Sequence, residues 1–319
     1  MTKLAVDFGN GFSSLTDGIT TATLRSRFDY SNGHLRGNTL ETMEFIVKYT
    51  NDSDDLVVVG GAYSGTATYE ITKPEAAKSI FPALAVKLAQ QIPFGSIDLV
   101  VVDTNPDRNL KDYKKSLLGQ HKVNYLLDNQ PCSLSFEVAS VICVQEGLGT
   151  FNHYVTHQPM TNPDGIIGIQ NVGAGTMDLL LFDGEGKCIA KQSLENRGCI
   201  RFAQWISTKL RETKVIEFDK DLPEMFEALE NHRLSVNLKN SFLATNNLDI
   251  SKEVQRSSRE YYLAGCKKML QSLEEYKSRL ERIVFTGGLA NNVILQESDA
   301  PKVAKAVNPL LDNVTGVLL

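Results

Sequence analysis

Two short stretches place glycines beside a carboxylate or amide side chain in the same order. The first is Asp7-Phe8-Gly9-Asn10-Gly11, which Ser13 and Ser14 follow. The second is Asn171-Val172-Gly173-Ala174-Gly175-Thr176. Each follows an apolar run typical of a buried strand, and glycine lets a backbone come close to a bulky polar group. Turns of this kind present clusters of backbone N–H groups, which suit a phosphate. We therefore predict a phosphate-binding turn at each stretch.

The two stretches align as copies of one unit. With Asp7 on Asn171, Gly9 falls on Gly173 and Gly11 on Gly175. An internal duplication predicts two similar domains that face each other across a cleft. The alternative is two unrelated hairpins with ordinary turns.

Length and composition limit the class of protein. The chain has 319 residues, more than one hydrophobic core usually supports, and its 42% hydrophobic and 22% charged residues are typical of a globular protein. Its five cysteines form no CxxC pair, which suits a reducing compartment. A net charge of −5 argues against direct binding to nucleic acid. No apolar run could span a bilayer, and the first strand begins too early for a signal peptide. We therefore expect a cytoplasmic protein that binds no membrane.

The order of predicted elements gives a domain plan. We predict a first domain over residues 1–155 with a small insertion subdomain at about 25–72, and a second domain over 156–304. A final helix at about 305–319 returns to the first domain. We also predict a linker over 152–164, short helices over 222–246 and a long helix over 251–281. A helix over 135–145 places Glu137 near its N-terminal end.

Two further features could contribute chemistry. Asp7 ends the first strand, and magnesium characteristically binds one or two carboxylates while keeping several waters. Residues Thr286-Gly287-Gly288 form a third glycine turn after a strand, which we predict to open a helix.

Taken together, these motifs resemble those of the actin-like ATPases, within the superfamily of actin, sugar kinases and the seventy-kilodalton heat-shock chaperones. Asp7 to Gly11 resembles the first phosphate motif, Asn171 to Asp178 the second, and Val284-Phe285-Thr286-Gly287-Gly288-Leu289-Ala290 the adenosine motif. Residues 309–318 resemble the closing helix of bacterial members. The short chain and the Asp-x-Gly-Asn-Gly opening are most similar to ParM-type plasmid-segregation actins.

The resemblance implies an α/β fold in which two ribonuclease-H-like domains surround a nucleotide cleft. It implies ATP bound with magnesium, whose waters Asp7 orders. The phosphates would be held by Gly9, Asn10 and Gly11 with Ser13 and Ser14 on one side, and by Gly173, Ala174, Gly175 and Thr176 on the other. Gly287 and Gly288 would lie against the adenosine, and Glu137 would orient the attacking water.

Two positions depart from the family pattern. Many members carry a lysine where this chain has Ser14, and the second motif usually opens with aspartate where this chain has Asn171. An amide can orient water but cannot act as a base. Since removing charge from a phosphoryl-transfer site slows chemistry, we predict slow hydrolysis with nucleotide binding retained.

These features favour a protein that polymerises with ATP and magnesium and segregates plasmid DNA through a DNA-binding adaptor. The choice between ATP and GTP stays open. One alternative is a small-molecule kinase of the same superfamily, for which Asp103 is the only candidate base. The other is a scaffold that binds nucleotide but does not polymerise.

Overall fold

The computed structural model describes residues 1–9, 11–31, 47–50, 56–59, 66–67, 72–127, 130–216, 219–220, 222–237, 245–299 and 302–319. Contacts between Cα atoms divide the chain into two compact units. Unit 1 comprises Met1–Thr156 with Leu311–Leu319, and unit 2 comprises His157–Leu310.

Unit 1 is built on one mixed sheet. Its strands are β1 (Thr2–Phe8), β2 (Phe12–Thr16), β3 (Thr21–Arg25), β4 (Arg27–Ser31), β5 (Val47–Thr50), β6 (Leu56–Val59), β7 (Thr66–Ala67), β8 (Ser96–Asp103), β9 (Gly119–Leu127) and β10 (Gln130–Gln145). They lie in the order β3-β2-β1-β8-β10-β9-β5-β6-β4-β7. The helices are α1 (Lys73–Ala89), α2 (Pro106–Leu117), α3 (Leu148–His157) and, near the C-terminus, α7 (Asp312–Thr315).

The apolar strands of unit 1 explain its layering. Val6 and Phe8 on β1 belong to the same buried cluster as Ile80 and Phe81 on α1. Neighbouring residues of a strand point to opposite faces of the sheet. Ala5 accordingly lies in a separate cluster with Val314 of the C-terminal segment. Helices therefore cover β1 on both faces, as a parallel strand requires.

Unit 2 contains the second sheet. Its strands are β11 (Ile166–Val172), β12 (Met177–Phe182), β13 (Cys188–Leu194), β16 (Leu280–Gly287) and β17 (Val303–Lys305), in the order β13-β12-β11-β16-β17. A separate hairpin pairs β14 (Arg233–Asn237) with β15 (Thr245–Asp249). The helices are α4 (Cys199–Glu212), α5 (Leu222–Asn231) and α6 (Ser251–Gln271).

The strand registers reproduce the duplication seen in the sequence. In unit 1, β1 and β2 are antiparallel with Asp7 opposite Ser14, and β1 runs parallel to β8. In unit 2, β11 and β12 are antiparallel with Asn171 opposite Asp178, and β11 runs parallel to β16. Each glycine stretch therefore forms the turn between the first two strands of its sheet.

The predicted helix over residues 135–145 is wrong, because these residues form the second half of strand β10. A register shift between Val138 and Ser140 interrupts the pairing of β10 with β8. Phe136, Val138 and Val141 are buried. The helical period lies in Phe136, Ala139, Ile142 and Cys143, but Ala139 and Ile142 are exposed in the structure. The spacing of the buried residues instead changes from two to three across the bulge, which a strand allows.

Five other predictions of secondary structure need correction. Residues 233–237 and 245–249 are strands, the long helix ends at Gln271, and the third glycine turn leads only into a single 3-10 turn, Ala290–Asn292. The predicted linker begins inside α3, and the closing helix is limited to α7 and the 3-10 turn Gly316–Leu318.

Much of the predicted insertion subdomain lies outside the described residues, and its described strands β4 to β7 continue the sheet of unit 1.

Candidate functional site

Ser26, which directly follows β3, shapes the first glycine turn. A Cβ atom at Gly9 would lie 2.5 Å from the carbonyl oxygen of Phe12, so the turn admits only glycine there. The Ser26 hydroxyl donates to the Gly9 carbonyl, and the Ser26 N–H donates to the Gly11 carbonyl at 3.0 Å. Asn10 lies outside the described residues. Ser26 therefore binds two carbonyl groups of this turn, a role that no sequence motif marks.

The two serines after this turn are engaged inside unit 1. The Ser13 hydroxyl lies 2.7 Å from that of Ser26, and the Ser14 hydroxyl lies 2.9 Å from that of Thr23. Both serines are buried. The backbone of the turn, rather than these hydroxyls, is therefore the part that a ligand could contact.

Asp7 has one engaged and one unengaged carboxylate oxygen. Its Oδ2 accepts a hydrogen bond from Asn313 Nδ2 at 2.9 Å. Its Oδ1 is buried and accepts none from the described residues. Burial raises the pKa of the Asp7 carboxyl, and the Lys73 ammonium and the Asn313 hydrogen bond offset part of that rise. A buried oxygen without a donor suits a cation or an ordered water.

A cation and a second carboxylate lie near Asp7. Lys73, the first residue of α1, places its Nζ 3.4 Å from Glu146 Oε2. Burial lowers the pKa of the Lys73 ammonium, but the attraction of Glu146, Asp7 and Asp103 outweighs burial and leaves that pKa above its usual value. Lys73 therefore stays charged. No local sequence pattern marks Lys73 or Glu146 as a site residue, so neither was predicted.

Asp103 is occupied by structural hydrogen bonds. Its Oδ1 accepts from the Asn105 N–H at 2.6 Å and from Asn109 Nδ2 at 2.9 Å, and its Oδ2 accepts from the Tyr113 hydroxyl at 2.8 Å. Burial and the nearby Asp103 charge raise the pKa of that phenol. Asp103 anchors the start of α2, so the base that a kinase would need is already engaged.

Glu137 lies far from Asp7. On β8, the residue that pairs with Glu137 is Ser96, whereas the residue that pairs with Asp7 is Val102. Six residues along a strand correspond to roughly 20 Å. The structure therefore does not bring Glu137 to Asp7. Glu146, just beyond the end of β10, lies at the Asp7 end instead, with its N–H donating to the Asp103 carbonyl at 2.8 Å.

The second glycine turn, in unit 2, has its carbonyl groups bound to the start of α4. The N–H groups of Gly198, Cys199 and Ile200 donate to the carbonyls of Gly175, Gly173 and Ala174 at 3.1, 2.8 and 3.0 Å. A Cβ atom at Gly198 would lie 2.3 Å from the Ala174 carbonyl oxygen, so this contact requires glycine at 198. With its carbonyls held on one side, the turn can present its N–H groups on the other.

The glycines of this second turn are not required by the protein itself. A Cβ atom at Gly175 would meet nothing within 4 Å, and one at Gly173 would make only ordinary contacts of 3.8 Å or more. Neither glycine has a positive φ. The N–H groups of Ala174, Gly175 and Thr176 donate to no backbone acceptor among the described residues. The turn thus combines unengaged N–H donors with open space where side chains would otherwise stand.

Thr176 and Asn171 flank the turn beside a buried carboxylate. The Thr176 hydroxyl donates to Asp178 Oδ2 at 2.8 Å, and the Ser193 hydroxyl donates to Asp178 Oδ1. Asn171 lies directly opposite Asp178 on the neighbouring strand. The amide at 171 therefore avoids a second negative charge beside Asp178.

The third glycine turn packs against the second within unit 2. Gly287 has a φ of +88°, and a Cβ there would lie 2.4 Å from Asn171 Oδ1. The Gly288 N–H donates to the Val172 carbonyl at 3.0 Å. Gly287 therefore has a structural reason to be glycine, and adenosine contacts at Gly287 and Gly288 stay a prediction.

Solved structures of known proteins match the whole chain. The archaeal actin homologue Ta0583 superposes with a TM-score of 0.75 at 16% identity, covering 100% of this chain and 98% of that protein. ParM from a 15-stranded filament of Clostridium botulinum matches with a TM-score of 0.69 at 14% identity, covering 99% and 97%. The actin-like protein Alp7A matches with a TM-score of 0.70 at 16% identity, covering 99% and 94%.

The chain has the actin-like fold. Residues 167–308 also match the family model described as the Alp7A C-terminal domain. No curated protein matches the chain by sequence. The predicted fold class is confirmed, and so is the resemblance to actin-like proteins, ParM among them.

The described residues of this actin-like chain hold no ready-made metal cluster. Among the described residues, no group of three His, Cys, Asp or Glu side chains is arranged to hold a metal ion. Asp7 alone would suffice for magnesium, which keeps most of its waters. In the described part of the chain, the helices are too short or too polar to cross a membrane.

Proposed function

We propose that this protein binds a magnesium–nucleoside triphosphate, polymerises into filaments, and hydrolyses the nucleotide slowly in the cytoplasm. We further propose that the filaments segregate plasmid DNA through a DNA-binding adaptor, without direct contact between the chain and nucleic acid. ATP is the nucleotide that we expect, with GTP as the one to test beside it.

The second glycine turn is the observation that supports the proposal best. Its carbonyls are bound to the start of α4, the N–H groups of Ala174, Gly175 and Thr176 lack backbone acceptors among the described residues, and a Cβ at Gly175 would meet nothing within 4 Å. A fold gains nothing from glycine at such a position, because glycine loses more conformational freedom on folding than other residues. A phosphate that approaches the backbone closely gives glycine a reason to be there.

Asp7 and Glu146 supply the carboxylates that phosphoryl transfer needs. In this proposal, Asp7 Oδ1 accepts hydrogen bonds from the waters of the bound magnesium ion, which neutralises developing charge on the phosphates. Glu146 orients the attacking water in place of Glu137, since it lies at the Asp7 end of the sheet. Lys73 supplies the positive charge that Ser14 cannot.

Asn171 is the reason to expect slow turnover. A neutral amide can hold a water but cannot take its proton. The buried Asp178 directly across the ladder favours the amide, because like charges on facing positions destabilise a sheet.

Relatives of the same fold support the assembly part of the proposal. The structure of one relative is described as a ParM filament, that of another as an Alp12 filament, and the archaeal homologue was solved in complex with ADP. These descriptions apply to those proteins, and for this chain they motivate the tests.

Measurements of binding, assembly and turnover test the proposal. Calorimetry with ATP, GTP and ADP at millimolar magnesium should detect binding, and no heat for any of them would refute it. Light scattering and electron microscopy should detect filaments with ATP and none without nucleotide. Binding without filaments would support the nucleotide-binding scaffold instead. Phosphate release should be slow, and coupled transfer to a small-molecule acceptor would favour the kinase.

A further inference from the structure

The C-terminal segment Leu311–Leu319 is held tightly against unit 1. A Cβ atom at Gly149 would lie 2.3 Å from the Asn313 carbonyl oxygen, and one at Gly316 would lie 2.0 Å from the Gly149 carbonyl oxygen. Backbone therefore touches backbone between α3 and this segment. Val314 is buried with Ala5 on β1. The position of Asn313 is consequently fixed with little freedom.

The side chain of Asn313 bridges one group near the N-terminus and one near the middle of the chain. Its Oδ1 accepts from the Gly147 N–H at 2.7 Å, and its Nδ2 donates to Asp7 Oδ2 at 2.9 Å. The two partners fix which way the amide points, because an N–H can only donate and a carboxylate can only accept. Asparagine alone combines this length with one donor and one acceptor, since aspartate lacks the donor and leucine lacks both.

This bridge gives the Asp7 carboxylate a single orientation. With Oδ2 held by the amide, Oδ1 is the oxygen left without a donor among the described residues. A neutral amide orients the carboxylate and leaves its negative charge in place, whereas a lysine at position 313 would cancel that charge. Residues that hydrogen-bond a metal-binding group on the side away from the metal commonly raise metal affinity by about tenfold or more.

We infer that Asn313 is a positioning residue for the cation site: it aims Asp7 Oδ1 at the waters of the bound magnesium ion. The C-terminal segment thereby forms part of that site. This inference rests on the proposed function, in which Asp7 holds hydrated magnesium.

The test compares Asn313→Ala with Asn152→Ala. Asn152 Nδ2 donates to the Gly316 carbonyl at 2.9 Å, so its removal loosens the same segment without touching Asp7. Calorimetry of ADP binding with and without magnesium gives the ratio by which magnesium strengthens binding. We expect Asn313→Ala to reduce this ratio about tenfold or more and to leave magnesium-free ADP binding within about twofold. Asn152→Ala should leave the ratio unchanged.

Thermal unfolding of each variant shows whether it is folded before binding is measured. Asn313→Ser serves as a second variant, because its hydroxyl is too short to reach Asp7 yet keeps polarity near the Gly147 N–H. An unchanged magnesium ratio in either folded Asn313 variant would overturn the inference, as would an equal loss in Asn152→Ala. Failure of the wild-type protein to bind any of ATP, GTP and ADP would instead refute the proposed function.

Discussion

Replacing Gly175 by alanine separates a ligand-binding role of the second turn from a structural one. The added Cβ would meet no protein atom within 4 Å, and Gly175 has no positive φ that alanine would strain. The methyl group would instead occupy the space in which we propose that a phosphate sits. We therefore expect the variant to fold normally and to bind nucleotide poorly.

The structure allows both effects to be estimated. A Gly→Ala change at an unstrained, open position stabilises a protein by about 0.4–1 kcal/mol, because it restricts the unfolded chain. The melting temperature of Gly175→Ala should therefore stay the same or rise. Hydrogen bonds to a charged group contribute about 1.5–3 kcal/mol each, so losing one would weaken binding by roughly 10-fold to 150-fold.

The assay pairs calorimetry of magnesium–ADP binding with thermal unfolding. Gly95→Ala is the matched control, because its added Cβ also meets nothing within 4 Å. Gly95 directly precedes β8, at the end of that strand that lies away from Asp7. Gly198→Ala provides the contrasting case, because its Cβ would lie 2.3 Å from the Ala174 carbonyl oxygen and should lower stability. Nucleotide affinity within about threefold of wild type in Gly175→Ala would refute the argument from open space.

Three further outcomes are expected. Asn171→Asp should raise phosphate release and, because Asp178 faces it, lower the free energy of unfolding by about 0.2–1 kcal/mol; unchanged release would remove Asn171 from the site. Lys73→Met should weaken ATP binding about tenfold relative to ADP, measured by calorimetry, whereas Lys78→Met, an exposed change on the same helix, should not. The pKa of Glu253 falls from its ordinary 4.5 to about 2, because hydrogen bonds from neighbouring cations and a hydroxyl outweigh burial. A carboxyl group whose pKa is lower in the folded than in the unfolded protein stabilises the fold at pH values above its unfolded-state pKa. This contribution to stability should therefore be lost as the pH falls from 4.5 towards 2. Urea unfolding should show a smaller loss over that range in Glu253→Gln, and an identical loss would contradict the assignment.

Glycine turns and strands were predictable because their signal is local. The duplicated stretches beginning at Asp7 and Asn171 carry strand, turn and return strand within a dozen residues each, and the registers of β1–β2 and β11–β12 follow from them. Glu137 shows where local signal fails. Apolar residues at helical spacing near it, such as Ala139 and Ile142, predicted a helix, but both are exposed on a bulged strand.

The amino-acid sequence by itself determined the actin-like fold and the identity of both glycine turns, since these depend on residues that are neighbours along the chain. Only the tertiary structure decided which polar groups surround Asp7. Asn313 and Asp7 are 306 positions apart, and Lys73 and Glu146 are 73 apart. No periodicity or turn preference reports contacts of that separation, because they arise when distant elements bury their apolar faces together. The packing of the C-terminal segment and of α1, rather than any motif, therefore places an amide and an ammonium group near this carboxylate.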